Sequence, residues 1–192
     1  MFSYASLGNA RISIMSGIVV LLSGSGTNLQ AILDAKLPVK YVLSDKPNAY
    51  GLTRAEEAGI PTYVLSSLKR LEHKITNVCE EHKIDLIVLA GFMRLLSPGF
   101  VQRWESHIIN IHPSILPEFK GAGAIKQAFD AGINETGVTV HYVDEGMDTG
   151  DIIEQTRVPI LNHDSLEDLE QRIHKVEHEL YPRTIKWLLT NY

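Results

Sequence analysis

The sequence has a single cysteine, Cys79, in 192 residues, so no internal disulfide can form. Its place in the polar stretch "NVCEEHK" lacks a nearby catalytic constellation, and the expected compartment is the cytoplasm. No apolar run approaches the ~18 residues of a membrane-spanning helix, so a bilayer is not an expected partner. Basic residues are scattered, 18 Lys and Arg against 23 Asp and Glu with a net charge of -5, and the electrostatic footprint of a nucleic-acid binder is missing as well. The opening "MFSYASLGNARISIM" has neither the basic n-region nor the long apolar h-region of a signal peptide. It also lacks periodicity, so residues 1–15 are expected to be a disordered extension or a leader, with the working chain starting near Met15. Internal repeats, linkers and low-complexity stretches are absent too. What remains is an ordinary globular composition, 44% hydrophobic and 21% charged, suited to one domain over residues 16–192 and to small-molecule partners.

The periodicity that is present alternates between strand and helix. Ile18 to Leu22 is a short β-branched run that stops at "SGSGTN", and "NLQAILDA" follows with apolar residues at helical spacing. "KYVLS", "TYVL", "IDLIVLAGF" and "HIINIH" read as further strands, separated by helices over "GLTRAEEAG", "LKRLEHKITNVCEEHK" and "SPGFVQRWE". "AGAIKQAFDAG" is a helix, "TGVTVHYVD" a strand with cleaner alternation, and "DIIEQTRVPI" a strand expected to be antiparallel or at an edge because it ends in proline. "DSLEDLEQRIHKVEHELYPRTIKWLL" starts with an Asp and Ser cap and predicts one or two closing helices. Such alternation with short connections implies an α/β fold of three layers, with a mostly parallel central sheet and ligands beyond the carboxyl ends of its strands.

Four segments at those ends carry candidate chemistry. In "SGSGTN", Gly24 and Gly26 let backbone amides approach an anion, and the helix start adds partial positive charge. A phosphate held by residues 24–28 is one reading, and a plain turn with Ser and Thr caps is the other. Leu29 stands where a dinucleotide fingerprint needs its third glycine and the Walker lysine is missing, so a single phosphate is the better guest. "AGFMRLLSP" puts Met93, Leu95 and Leu96 at the ligand-bearing edge with Arg94 beside them, either an apolar wall for a flat ligand with a carboxylated tail or core packing with a surface arginine.

In "NIHPS", Asn110 and His112 are two residues apart in a strand and so share a face, while Ile109 and Ile111 point to a core. Together they could stabilise an oxyanion or carry a proton; a structural histidine is the alternative. "DEGMDTGDII" gathers Asp144, Glu145, Asp148 and Asp151, without EF-hand spacing or a preceding helix. It offers a carboxylate to stand beside His112 and favour its charged form, or simply an acidic solvent loop. "HKVEH" matches an inverted zinc-protease pattern, but only the adjacent Glu179 follows as a further acid; a polar helical face is expected instead, with Glu177 able to reach the site.

"VVLLSGSGTNLQAIL", "LAGFMRLLSP", "INIHPSILP" and "GVTVHYVDEGMDTGDII", in that order and spacing, resemble the phosphoribosylglycinamide formyltransferases over about Ile18 to Trp187. The resemblance implies a single-domain Rossmann-like fold. It implies transfer of the formyl group of 10-formyltetrahydrofolate, a co-substrate, to the amine of glycinamide ribonucleotide in purine synthesis, through a tetrahedral intermediate and without a metal. Residue by residue, it implies a catalytic trio of Asn110, His112 and Asp148. Gly24, Ser25, Gly26, Thr27 and Asn28 would take the ribonucleotide phosphate, with His174 and Glu177 on the rest of that substrate. Met93, Arg94, Leu95, Leu96, Asn110, Asp144, Glu145, Gly146 and Met147 would surround the folate. Partners would be small molecules, with no nucleic acid or membrane, and the chain a monomer or homodimer.

A basic residue that the family sets against the folate falls near Lys69 or Arg70 and stays unassigned. Some members carry histidines in the loop after the proline; "EFKGAGAIKQAF" has none, which is expected to affect closure more than chemistry. Methionyl-tRNA formyltransferases and formyltetrahydrofolate hydrolases share the Asn, His and Asp set but normally carry an extra domain, for which this length leaves no room. From another class, an NAD-linked oxidoreductase would use the glycine turn with Asp45 as its ribose acid.

Overall fold

The short β-branched runs assemble into one seven-stranded sheet in the computed structural model, which describes residues 17–84 and 86–191. The expected extension over residues 1–15 lies outside the described residues. β1 (Ile18–Leu22), β2 (Val39–Ser44), β3 (Thr62–Val64), β4 (Leu86–Leu89) and β5 (Ile108–His112) run parallel, β1 lying between β2 and β4. β6 (Glu135–Tyr142) pairs antiparallel with β5 and β7 (Ile152–Pro159) antiparallel with β6, giving the order β3-β2-β1-β4-β5-β6-β7. The edge place expected for β7 follows from Pro159, which has no amide to offer a further strand.

Alternation along β1 builds two cores. Ile18, Val20 and Leu22 pack under α1 (Thr27–Asp34), α2 (Tyr50–Glu57) and α6 (Leu166–Asn191), with α5 (Ala124–Asp130) beside them. Val19 and Leu21 face α3 (Leu68–His82) and α4 (Pro98–Arg103). Every residue of β1 and β4 is buried, which is why both read as unbroken apolar runs instead of alternating ones. Each such side chain contributes roughly 1.5–3 kcal/mol when fully buried.

The sheet reverses direction of growth between β1 and β4. β1 leads outward to β2 and β3, whereas β4 leads the other way to β5, so the connections diverge and leave a crevice past the carboxyl ends. β4 stops at Leu89, short of the run read through Phe92, because Gly91 turns the chain with φ 76°. There the Gly91 carbonyl accepts from the Ser23 amide at 3.0 Å, tying the loop after β4 to the loop after β1.

The closing segment is one helix with Pro182 inside it. Ser165 caps it: its hydroxyl accepts from the Asp168 amide at 3.2 Å, and the Asp168 carboxylate accepts from the Ser165 amide at 2.9 Å. The buried stripe of α6 runs through Leu169, Ile173, Glu177, Leu180, Thr184 and Leu188, so a carboxylate holds a position at which helical spacing asks for an apolar residue. Tyr181 is fully buried, and its phenol donates to the carbonyls of Leu89 at 2.8 Å and Ile109 at 3.3 Å, fastening α6 to β4 and β5 just below the crevice.

Candidate active site

A cavity of about 520 Å³ opens at the carboxyl ends of β1, β4 and β5. Its walls include Gly24 to Asn28 after β1, Met93 to Leu96 after β4, Asn110 and His112 on β5, Asp144 to Asp148 between β6 and β7, and His174 with Glu177 from α6. The residues that the resemblance assigns to the site thus reach one space, whereas Asp151 of the same acidic loop does not line it. Lys69 and Arg70 on α3 are not among its lining residues.

Asn110 and His112 share a face of β5, and Ile109 and Ile111 are buried on the other in the core under α6. Asp148 comes to them from the loop between β6 and β7. Its Oδ2 lies 3.4 Å from His112 Nδ1, and its Oδ1 accepts from Asn110 Nδ2 at 3.5 Å. His112 Nε2 is 2.8 Å from the Phe119 carbonyl; a carbonyl only accepts, so Nε2 carries a hydrogen and Nδ1 is the nitrogen turned to the carboxylate. The Gly121 amide donates to Asp148 Oδ2 at 2.8 Å, so the loop after β5 closes over both side chains.

Asp148 sits at φ 52°, a left-handed conformation that a carboxylate residue tolerates at some cost. Burial works to raise its pKa. The His141 imidazole close beside it, the hydrogen bond from the Gly121 amide and the charge of His112 outweigh that, and the group is held down at about 2. It is therefore a carboxylate throughout the neutral range.

His141 is the member of this cluster that the sequence reading missed. Across the antiparallel pair it stands opposite Asn110. Its Nδ1 donates to the Tyr142 carbonyl at 2.7 Å, and its Nε2 lies 3.6 Å from Asp148 Oδ1 and 3.3 Å from Asn110 Nδ2. The available signal was a histidine at an alternating position near the end of "TGVTVHY", two before a loop with carboxylates. Which strand it faces depends on register.

On the side of the cavity under α1, the loop after β1 turns at Gly26, φ 71°, where a Cβ would lie 2.5 Å from the Gly51 Cα of α2. Among the described residues no group hydrogen-bonds the buried Asn28 Oδ1 there, which leaves an acceptor for a ligand. Glu177 is buried, and its carboxylate meets His174 Nδ1 at 2.8 Å. That hydrogen bond raises the pKa of His174 against the opposing effect of burial, whereas burial lowers that of His178. The "HKVEH" segment thus sends Glu177 to the cavity, and among the described residues no group of three or more His, Cys, Asp or Glu side chains is gathered as metal ligands would be.

The opposite wall is apolar and open. Met93 is 73% and Leu95 59% exposed, and Met147 stands beside them half exposed, whereas Leu96 is buried in the core against α3 and α4. Exposed large apolar side chains grouped in a cleft mark a binding surface. Arg94 donates to the Ser66 carbonyl at 2.7 Å. The loop opposite is shaped by Asp144, which accepts from the Gly146 amide at 3.1 Å and the Thr149 hydroxyl at 2.7 Å, and it is tethered to α4 where Gln102 donates to Glu145 at 2.6 Å. Asp45, the ribose acid of the dinucleotide reading, is only 4% exposed and accepts from the Ser23 hydroxyl at 2.7 Å, so that reading loses its recognition group.

An amide, an imidazole and a low-pKa carboxylate thus stand between a glycine loop and an apolar wall, and the class is given by the family: the formyl transferase model matches residues 16–185, and the chain belongs to the formyl transferase family. It is 45% identical over 184 residues to the phosphoribosylglycinamide formyltransferase of Haemophilus influenzae, covering 90% of this chain and 87% of that one. The crystal structure of phosphoribosylglycinamide formyltransferase from Streptococcus pneumoniae TIGR4 superimposes with a TM-score of 0.86 at 43% identity, over 92% of this chain and 100% of that one. The trifunctional purine biosynthetic protein adenosine-3 of Drosophila melanogaster is 46% identical over 185 residues, and there the chain spans 14% of the relative's length.

Proposed function

We propose that this chain transfers the formyl group of 10-formyltetrahydrofolate to the amine of glycinamide ribonucleotide. The observation that carries the reading is the convergence of Asn110, His112 and Asp148 at one point of a cavity that has the glycine loop along one wall and exposed apolar side chains along the other. The first wall suits a phosphate at residues 24–28, with Asn28 Oδ1 and the Glu177 carboxylate left to accept from sugar or amine hydrogens. The second wall, Met93, Leu95 and Met147, suits the flat ring system of a folate.

In this reading the substrate amine attacks the formyl carbon. A carbon–nitrogen bond forms, and the carbonyl electron pair moves to the oxygen. The oxyanion accepts hydrogen bonds from the Asn110 amide and from His112, whose charge Asp148 balances. Because Nε2 of His112 is engaged by the Phe119 carbonyl, Nδ1 serves both the carboxylate and the oxyanion. The Asn110 bonds, 3.3 and 3.5 Å, are long and readily exchanged for a tighter one to the transition state. A proton then passes from the attacking to the leaving nitrogen with Asp148 as relay, the tetrahedral species collapses, and tetrahydrofolate departs.

The test is deformylation of a 10-formylfolate, followed by absorbance, with and without glycinamide ribonucleotide. The expected result is turnover only with the ribonucleotide present; turnover without it points to a hydrolase and overturns the assignment.

A further inference from the structure

The glycine loop is held from behind by α2. The Gly51 amide donates to the Gly24 carbonyl at 3.1 Å, and Arg54 Nε donates to the Ser25 carbonyl at 2.9 Å. The same guanidinium gives Nη1 to Gln30 Oε1 at 3.0 Å and lies 4.9 Å from the centre of the Tyr50 ring, so its plane is fixed at three points. Gln30 is in turn held by its bond to Asp34 at 2.9 Å. Arg54 does not line the cavity; it touches the loop from outside.

A trans peptide unit points its C=O and N–H in opposite directions. Fixing the carbonyls of Gly24 and Ser25 toward α2 therefore turns the amides of Ser25 and Gly26 away from α2. They then stand beside the amides of Thr27 and Asn28, which head α1 and have no intrahelical acceptor. Four successive N–H groups on one side of a turn form an anion-binding concavity. The contact of Gly26 with Gly51 sets the distance at which α2 can do this, since a Cβ on either residue has no room.

We propose that Arg54 is a positioning residue for the phosphate of the ribonucleotide: it fixes the Ser25–Gly26 peptide so that the loop amides converge on the anion, and it never touches that anion itself. The inference rests on the ribonucleotide reading above. Its charge, one peptide behind the loop, adds positive potential at the same place.

Arg54→Met keeps the length of the stem and removes the donors and the charge; Arg54→Lys keeps the charge and loses the fork. Each is compared with the native chain for kcat and KM with glycinamide ribonucleotide, kcat/KM with the dephosphorylated ribonucleoside, folate Kd and melting temperature. Arg54→Met is expected to raise KM for the ribonucleotide about tenfold, the scale of one lost charge-assisted hydrogen bond, with kcat within about threefold, and Arg54→Lys to lie between. Ribonucleoside use and folate affinity stay at the native level. An unchanged ribonucleotide KM overturns the proposal, and so does an equal loss with the ribonucleoside or the folate, which makes Arg54 merely structural. If the native chain uses ribonucleoside and ribonucleotide alike, the phosphate reading falls and takes this proposal with it.

Discussion

Asp148 carries both a conformational and an electrostatic commitment. It holds a left-handed backbone, φ 52°, to bring its two oxygens to His112, His141, Asn110 and the Gly121 amide. Turnover in Asp148→Asn and in His112→Ala is expected to fall by at least ~100-fold, the lower scale for a proton carrier or oxyanion donor. Steady-state rates near the native value in either would sink the assignment of the trio. The depressed pKa also predicts an acid response. An unfolded Asp titrates at 3.8 and the folded one at about 2, so ionised Asp148 favours the fold above about pH 4 by on the order of 2 kcal/mol, and that share is lost as pH falls through about 2. Urea unfolding of the native chain and of Asp148→Asn should therefore differ most at neutral pH and converge toward pH 2; a gap that does not change with pH contradicts this account.

Elements position these residues more than they contribute to them. β5 presents Asn110 and His112 because its other face is locked in the core, and Tyr181 of α6 ties the end of β4 to the start of β5 through their carbonyls. Tyr181→Phe leaves two buried carbonyls short of a donor and should lower unfolding stability by about 1–2 kcal/mol, read by chemical denaturation. No measurable loss means that the phenol bonds are not what joins α6 to the strands. At the turn into α1, Gly26→Ala meets both a positive φ and the Gly51 Cα, so a loss of at least ~1 kcal/mol is expected together with weaker ribonucleotide binding, measured by melting and calorimetry. Much of this scale was legible beforehand. The strand runs, the glycine stop after β1 and the Ser165 cap each carry a local signal. The end of β4 at Leu89 and the continuity of α6 through Pro182 were not legible, because one depends on a turn tied to Ser23 and the other on packing along the whole sheet.

For the whole molecule, the cavity straddles the point where the sheet changes direction, and each of its walls joins segments far apart in the chain. Ligands that bridge them bind the folded state alone. Glycinamide ribonucleotide at about 100 times its Kd should stabilise the fold by about 2.7 kcal/mol, seen as a rise in melting temperature, and a folate analogue should add to it. NAD should produce no such rise, since Asp45 is already spent on Ser23.

The sequence by itself determined the alternation of strand and helix, the glycine loop, the face shared by Asn110 and His112 and the apolar run after β4, since all of these are local: they follow from periods of two and 3.6 and from what glycine and proline permit. Only the tertiary structure decided that Asp148 meets His112, that His141 stands opposite Asn110 and that Arg54 fastens the glycine loop. Those contacts join residues far apart in the chain, and they are set by strand register and by the reversal between β1 and β4, which no local period encodes.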